Sequence, residues 1–243
     1  MTKNKTNSQM FIIFIMVLFI IQTIASKLGG AIADLFDYIS INIDNSFFWI
    51  TVHHFVQMII ALLFIFAIHK KKGIDFYLKP KKDKTGIKYT VIFSIIILVY
   101  VLFSYIVSYK LSNIPPYTYE LNLTNILGNL GFQLLLSGTS EEILFRALPI
   151  IALGYVFRES EHKNYRLEII VSALLFSIAH ISWSINPFTI SFSWFQLIYA
   201  FVLGLIYGIT YVKSKSIIYP IIMHGLSNFF MVGIGYIFTS VIG

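Results

Sequence analysis

Long apolar segments, each about the length of a membrane-spanning helix, make up most of this chain of 243 residues. Hydrophobic residues account for 57% of the sequence and charged residues for 12%, which is about half the charged share of an ordinary soluble domain. A segment of about 20 apolar residues crosses the hydrocarbon core as an α-helix. Only helices and closed barrels satisfy their backbone groups in lipid, and the sequence shows no alternating strand pattern. We therefore predict an all-α, polytopic transmembrane bundle.

The apolar segments number about seven and use up most of the chain, so no separate soluble domain is expected. We predict one integral membrane domain over residues 1–243. The predicted spans are residues 10–25, 47–68, 88–109, 121–157, 167–182, 194–212 and 217–242. The first could also be a signal peptide, but its length and the later apolar segments favour a retained span. Segment 121–157 is longer than one crossing needs, so Gly128, Gly131 and Gly138 predict a break in its helix.

Lysine residues between the spans set the predicted orientation. The stretch between the second and third spans is basic and contains Lys70, Lys71, Lys72, Lys79, Lys81, Lys82 and Lys84. By the positive-inside rule this loop and the N-terminus are cytoplasmic, whereas the loop that holds Asp34, Asp37 and Asp44 is outside. Frequent Ile, Phe, Lys and Asn fit an AT-rich bacterial genome, so we expect a multi-pass protein of a bacterial cytoplasmic membrane.

The charge balance and the lack of cysteine exclude several classes of function. The formal charge of +7 is small for a nucleic-acid-binding protein, and the lysines lie beside apolar spans, where they act as topology signals. Nucleic acid is therefore not an expected partner. Without cysteine the chain can form no disulfide, no thiolate metal site and no cysteine nucleophile.

Polar motifs lie inside the predicted spans of the C-terminal half. They are Glu141-Glu142-x-x-x-Arg146, Phe176-x-x-x-His180 and His224-x-x-x-Asn228. Residues four positions apart share a helix face, so Glu142 faces Arg146, Phe176 faces His180 and His224 faces Asn228. Ionisable side chains in hydrocarbon cost at least about 2.5 kcal/mol each, and such residues usually have a function. The motifs therefore predict an intramembrane active site.

The spacing of the first motif gives its two glutamates different surroundings. Glu142 and Arg146 are four residues apart and are predicted to form an internal ion pair. Glu141 is turned by about 100° from Glu142 and can face a reaction centre. The alternative is one salt-bridge network that locks the helix through both glutamates. Since one carboxylate already neutralises Arg146, the second is expensive in lipid, and we favour a catalytic Glu141.

The other histidines are expected to have structural roles. His53 and His54 lie near the outer end of the second predicted span, where interfacial placement costs little. His162 lies in a charged loop and is expected to be solvated.

In these motifs the chain resembles the CPBP family of intramembrane proteases, also called the CAAX prenyl endopeptidase or Abi family. The family pattern EExxxR, FxxxH and HxxxN is met in order, and the resemblance covers residues 121–243, the expected catalytic core. It implies that Glu141 and His180 activate a water molecule, while His224 and Asn228 stabilise the oxyanion. Amide hydrolysis needs such a base and such donors, and a dry site strengthens both.

Supporting residues and a possible metal follow from the same resemblance. The residues with implied supporting roles are Glu142, Arg146 and Phe176. We favour a metal-free, glutamate-dependent hydrolase and expect no cofactor. The alternative is a zinc-dependent protease in which Glu141, His180 and His224 bind the metal together with water, although the sequence lacks HExxH.

The expected partners are the lipid bilayer and a membrane-associated peptide or protein that serves as substrate. Family members cut next to lipidated cysteine, but a bacterial chain is not expected to meet prenylated targets. The resemblance therefore implies peptide processing, such as maturation of a quorum-sensing pheromone or a bacteriocin-type precursor. A non-catalytic membrane scaffold or immunity protein with the same fold is the alternative from another class, and a transporter is a weaker one.

Overall fold

A computed structural model describes residues 2–38, 42, 44–111, 117–157, 165–185 and 187–242. Over these residues the chain forms a bundle of seven helical stretches with one short β-hairpin. The helices before the hairpin are α1 (Thr2–Ala33), α2 (Phe48–Lys72), α3 (Lys84–Lys110), α4 (Leu123–Gly131), α5 (Gly138–Glu142), α6 (Leu148–Phe157) and α7 (Arg166–Ile178). The hairpin strands are β1 (Ser182–Ile185) and β2 (Phe188–Ser191), and α8 (Trp194–Ser214) and α9 (Ile218–Ile242) follow. Helices α4, α5 and α6 are continuous with one another. The predicted all-α bundle of about seven helices is confirmed.

Among the described residues, five helices are long and apolar enough to cross a membrane, judged by length and composition. Their spanning parts are Gln9–Ala33, Phe48–Lys72, Lys84–Lys110, Trp194–Ser214 and Ile218–Ser240. The remaining two stretches are α7, which has 13 residues, and residues 123–157, which carry the first polar motif. The chain is thus a multi-pass membrane protein.

The motif helix, which we define as residues 123–157, has no break, so the break predicted at its glycines is wrong. Instead two π-helical turns, Phe132–Ser137 and Ile143–Ala147, interrupt the α-helical hydrogen-bond pattern. Such turns are rare and occur frequently at functional sites. They flank α5, so that Glu141 and Glu142 lie between two local changes in helical twist.

Glycines in the motif helix and α9 allow these two helices to touch at the backbone. A Cβ atom added to Gly138 would lie 3.0 Å from the backbone nitrogen of Gly225. One added to Gly225 would lie 2.7 Å from the carbonyl oxygen of Leu134. Because both positions lie within one turn of a polar motif, this close approach brings the first motif against His224.

The motif helix occupies the centre of the bundle. It contacts α2 and α9, and its second half packs against α7 and α1. Three helix pairs surround it, namely α1 with α2, α3 with α9, and α7 with α8. In the last pair, a Cβ atom added to Gly204 would lie 3.0 Å from the Cα atom of Ala173, so these helices also pack closely. The polar motifs therefore meet inside the bundle and away from lipid.

The connections fall into two groups at opposite ends of the bundle. At one end, which we call the basic end, the lysine-rich loop 73–83 is held by Tyr211, whose hydroxyl donates to the Phe76 carbonyl oxygen at 2.7 Å. At the other end, Asn125 donates to an Asp44 carboxylate oxygen at 2.6 Å. The hairpin lies at this second end, is exposed at every described residue and was not predicted from the sequence. That the basic end faces the cytoplasm stays a prediction.

Candidate active site

The two neighbouring glutamates of the first motif have different environments. Glu142 is fully buried, with Oε2 3.2 Å from Arg146 Nε and Oε1 2.8 Å from His224 Nδ1. Glu141 keeps 17% of its side-chain surface exposed and lines a cavity of about 490 Å³. The predicted ion pair between Glu142 and Arg146 is therefore present, and Glu141 faces open space as the helical offset indicated.

Arg146 is the largest fully buried side chain among the described residues. Its guanidinium carbon lies 4.2 Å from the ring centre of Phe176 and 5.6 Å from that of Tyr207. None of its nitrogens has a well-aligned hydrogen bond within the described residues, although Nε is close to Glu142. The buried charge is therefore stabilised by a close carboxylate and by the aromatic faces of Phe176 and Tyr207.

Two imidazoles flank the carboxylate of Glu141. His54 Nδ1 lies 3.8 Å from Oε1, and His224 Nε2 lies 3.6 Å from Oε2. Both distances are longer than a hydrogen bond, so neither imidazole occupies the lone pairs of the carboxylate. Glu141 can therefore accept a proton from a reactant in the cavity.

His180 lines the same cavity as Glu141, immediately after the last turn of α7. Its Nδ1 lies 2.8 Å from the carbonyl oxygen of Phe176. A carbonyl oxygen can only accept, so Nδ1 carries a proton and, in the neutral ring, Nε2 carries a lone pair. The second motif thus sets both the position and the tautomer of His180.

Asn228 is connected to the motif helix through a serine. Its Nδ2 donates to the Ser137 hydroxyl oxygen at 3.1 Å, one turn before Glu141. Neither Asn228 nor His224 is among the residues that line the cavity. The structure therefore places Glu141 and His180 at the cavity and places His224 and Asn228 behind it, against the motif helix.

His54, which was expected at the outer membrane interface, is instead buried in the bundle beside the first motif. It is 8% exposed, lines the cavity, and has Nδ1 2.7 Å from the Ser140 hydroxyl oxygen. The Ser140 hydroxyl donates to the Ser137 carbonyl oxygen at 3.0 Å, so its oxygen accepts from His54 Nδ1–H.

The same part of α2 also places His53 in the cavity wall, where its ring stacks on Trp49 with ring centres 5.2 Å apart. A signal for both histidines was present in the sequence. Together with Gln57 they form a polar patch at helical spacing in an otherwise apolar span, and polar groups in lipid are costly. His162 lies outside the described residues.

The zinc-dependent alternative requires three side chains to converge on one point. Within the described part of the chain, no group of three or more His, Asp or Glu side chains is placed so that it could hold a metal ion. Glu141, His180 and His224 therefore do not fit a zinc site in this arrangement.

The fold defines a multi-pass membrane protein whose bundle encloses a cluster of acidic and basic side chains, namely Glu141, Glu142, Arg146 and His224. Residues 123–230 match the family model described as type II CAAX prenyl endopeptidase Rce1-like. The matched segment contains all three motifs, so this part of the chain is similar to the CAAX intramembrane proteases that the model describes. The predicted family resemblance is confirmed, and α1, α2 and α3 lie outside the matched segment. No curated protein and no solved structure matches the chain.

Proposed function

We propose that this protein is an intramembrane endopeptidase that hydrolyses a peptide bond in a membrane-associated peptide or protein. The observation that carries the proposal is Glu141, a carboxylate with free lone pairs that lines a cavity inside a membrane bundle and lies between two imidazoles. The match of residues 123–230 to a protease family model supports the same conclusion. Peptide-pheromone and bacteriocin-type precursors are the substrates we propose to test first.

In the first step Glu141 acts as the general base. A carboxylate oxygen takes one proton from water while the water oxygen bonds to the scissile carbonyl carbon, whose oxygen becomes negative. The Nε2 lone pair of His180 accepts the other water proton as a hydrogen bond and orients the nucleophile. Glu141 then returns its proton to the leaving amine nitrogen as the C–N bond breaks.

Stabilisation of the oxyanion is assigned to His224 and Asn228. His224 Nδ1 donates to Glu142, so Nε2 can donate only when the ring is protonated on both nitrogens. Glu141 and Glu142 carry two negative charges against one positive charge on Arg146. A protonated His224 therefore makes the buried cluster neutral and provides the donor. Asn228 joins by exchanging its bond to Ser137 for one to the substrate oxygen.

The test of this proposal is cleavage by purified protein in lipid nanodiscs, with fluorogenic versions of the proposed precursors. Glu141→Gln should lower turnover by about 10²–10⁴-fold, because an amide cannot act as a base. Accumulation in the membrane should stay normal, since Gln is isosteric. The matched control is Glu120→Gln, which removes a carboxylate far from the cavity. Undiminished cleavage by Glu141→Gln would remove the proposed mechanism.

Metal content and the properties of the Glu141→Gln variant distinguish this proposal from a zinc-dependent protease and from a non-catalytic scaffold. A zinc-dependent protease would contain stoichiometric zinc and lose it together with activity in His224→Ala. A scaffold or immunity protein would keep its cellular effect in Glu141→Gln and would cleave none of the peptides.

A further inference from the structure

From residue 10 onward, every polar side chain of α1 lines the cavity. Between residues 10 and 33 these side chains are Gln22, Thr23, Ser26 and Lys27, and all four line the cavity that holds Glu141. Their spacing places them on one face of the helix. Polar groups in a span are costly, so their concentration on this face indicates that they serve the cavity. We call these four residues the polar face of α1.

The wall that this face contributes contains polar atoms without partners. Gln22 is 4% exposed, and its Nε2 has no hydrogen-bond partner within the described residues. On α2, Nδ1 of His53 is likewise buried and unpaired. A buried polar group without a hydrogen-bond partner costs free energy. A ligand that brings acceptors into the cavity would relieve this cost at Gln22.

Lys27 provides the fixed positive charge of the cavity lining. Its Nζ lies 4.3 Å from the ring centre of Trp183, which follows α7 at the far end of the cavity. No carboxylate lies within ion-pair distance of Lys27 in the part of the chain that the structure describes. The cation is therefore available to an anionic group of a ligand.

We infer that the polar face of α1 is a substrate subsite that binds an extended peptide and pairs a carboxylate of that peptide with Lys27. The inference rests on the proposed peptidase function. An extended backbone in a membrane has unpaired carbonyl groups, and Gln22 offers them a donor. Gln22 and Lys27 are about 7.5 Å apart along the helix axis, which two or three extended residues span. The carboxylate belongs either to the C-terminus or to an acidic side chain.

The test measures binding in the Glu141→Gln background, so that no turnover is needed. The probes are fluorescein-labelled octapeptides of Leu and Ala in nanodiscs, with a free C-terminal carboxylate, with a C-terminal amide, or with the amide and one internal Glu. Lys27→Met should weaken binding of a carboxylate-bearing peptide about tenfold or more and leave the plain amide peptide unchanged. Lys27→Arg should restore binding, and the matched control Lys110→Met should have no effect.

Each outcome bears on the subsite. A Lys27→Met effect confined to the free-acid peptide assigns the carboxylate to the C-terminus, and an effect confined to the internal-Glu peptide assigns it to a side chain. Equal loss for all three peptides, equal loss in Lys110→Met, or no binding of any peptide would overturn the inference. Failed cleavage by the unmodified protein would instead count against the peptidase function, because the binding measurement does not depend on it.

Discussion

At the scale of single residues, the chemistry of the site depends on the partners that each ionisable group has. Glu141 and Glu142 are adjacent, yet only Glu142 contacts Arg146 and only Glu141 reaches the cavity. His224 connects them, with one ring nitrogen near each carboxylate. The result is a buried chain of charges in which one carboxylate is fully engaged and the other is available for catalysis.

The first prediction at this scale is that His54 positions Glu141. His54→Ala should lower kcat about tenfold with KM nearly unchanged. The substitution removes the hydrogen bond to Ser140 and the imidazole beside Glu141, so the Glu141 carboxylate and the His224 ring are held less firmly. His54→Asn should recover much of kcat, since its amide nitrogen can donate from a position close to Nδ1. Steady-state kinetics on a cleaved precursor measure both constants.

The control for this prediction is His69→Ala, at the basic end of the same helix, which should leave both constants unchanged. A purely structural role for His54 would lower the amount of folded protein and leave kcat intact. That result would contradict the positioning role.

At the scale of elements, the motif helix combines an α-helical segment with two π turns. The second π turn, Ile143–Ala147, contains Arg146 and begins directly after Glu142. The ion pair therefore spans a change in helical twist, which accounts for a short distance of 3.2 Å without good hydrogen-bond alignment. The guanidinium compensates by lying over Phe176, so α7 and the motif helix depend on each other.

The prediction at this scale concerns the buried ion pair. Arg146→Ala should destabilise the protein by about 3–5 kcal/mol, because it leaves Glu142 charged and unpaired in the bundle. Adding Glu142→Gln should recover accumulation but not turnover, since the carboxylate that accepts from His224 Nδ1 and positions its ring is then absent. Thermal unfolding in detergent and the cleavage assay measure the two effects separately.

Arg166→Ala is the matched control, because it removes an exposed arginine at the start of α7. If Arg146→Ala, alone or with Glu142→Gln, were as stable as the unmodified protein, the ion pair between Glu142 and Arg146 would not support the fold.

At the scale of the whole molecule, the two ends of the bundle differ in charge, and the side chains of the three polar motifs lie between them. The lysine-rich loop 73–83 and the connection between α8 and α9 meet at the basic end, where the Ile217 amide donates to the Tyr77 carbonyl oxygen at 3.0 Å. Lys27, Trp183 and the hairpin lie toward the other end. If the basic end is cytoplasmic, the polar face of α1 approaches the outer side of the membrane.

This orientation can be tested because the chain contains no cysteine. Ser184→Cys in the exposed hairpin should react with a membrane-impermeant maleimide in intact cells. Lys82→Cys in the basic loop should react only after the membrane is permeabilised. The reverse labelling pattern would invert the predicted topology and place the polar face of α1 near the cytoplasm.

The sequence by itself determined the number of helices, their approximate positions and the pairing of Glu142 with Arg146. These properties depend on hydrophobic runs and on the spacing of residues along one helix, and both are local. The same local pattern misled at the glycines of the motif helix, because a glycine that permits close helix packing is indistinguishable in sequence from one that ends a helix. Gly138 packs against α9 and remains helical.

Only the tertiary structure decided which side chains share the site. His54 and Ser140 are 86 positions apart and belong to different helices, so no periodicity relates them. The polar face of α1 likewise reaches the cavity of Glu141 only through the packing of α1 against α2 and α6. Such contacts are set by how helices pack around the motif helix, and packing depends on the shapes of all the surfaces together, which no single segment specifies.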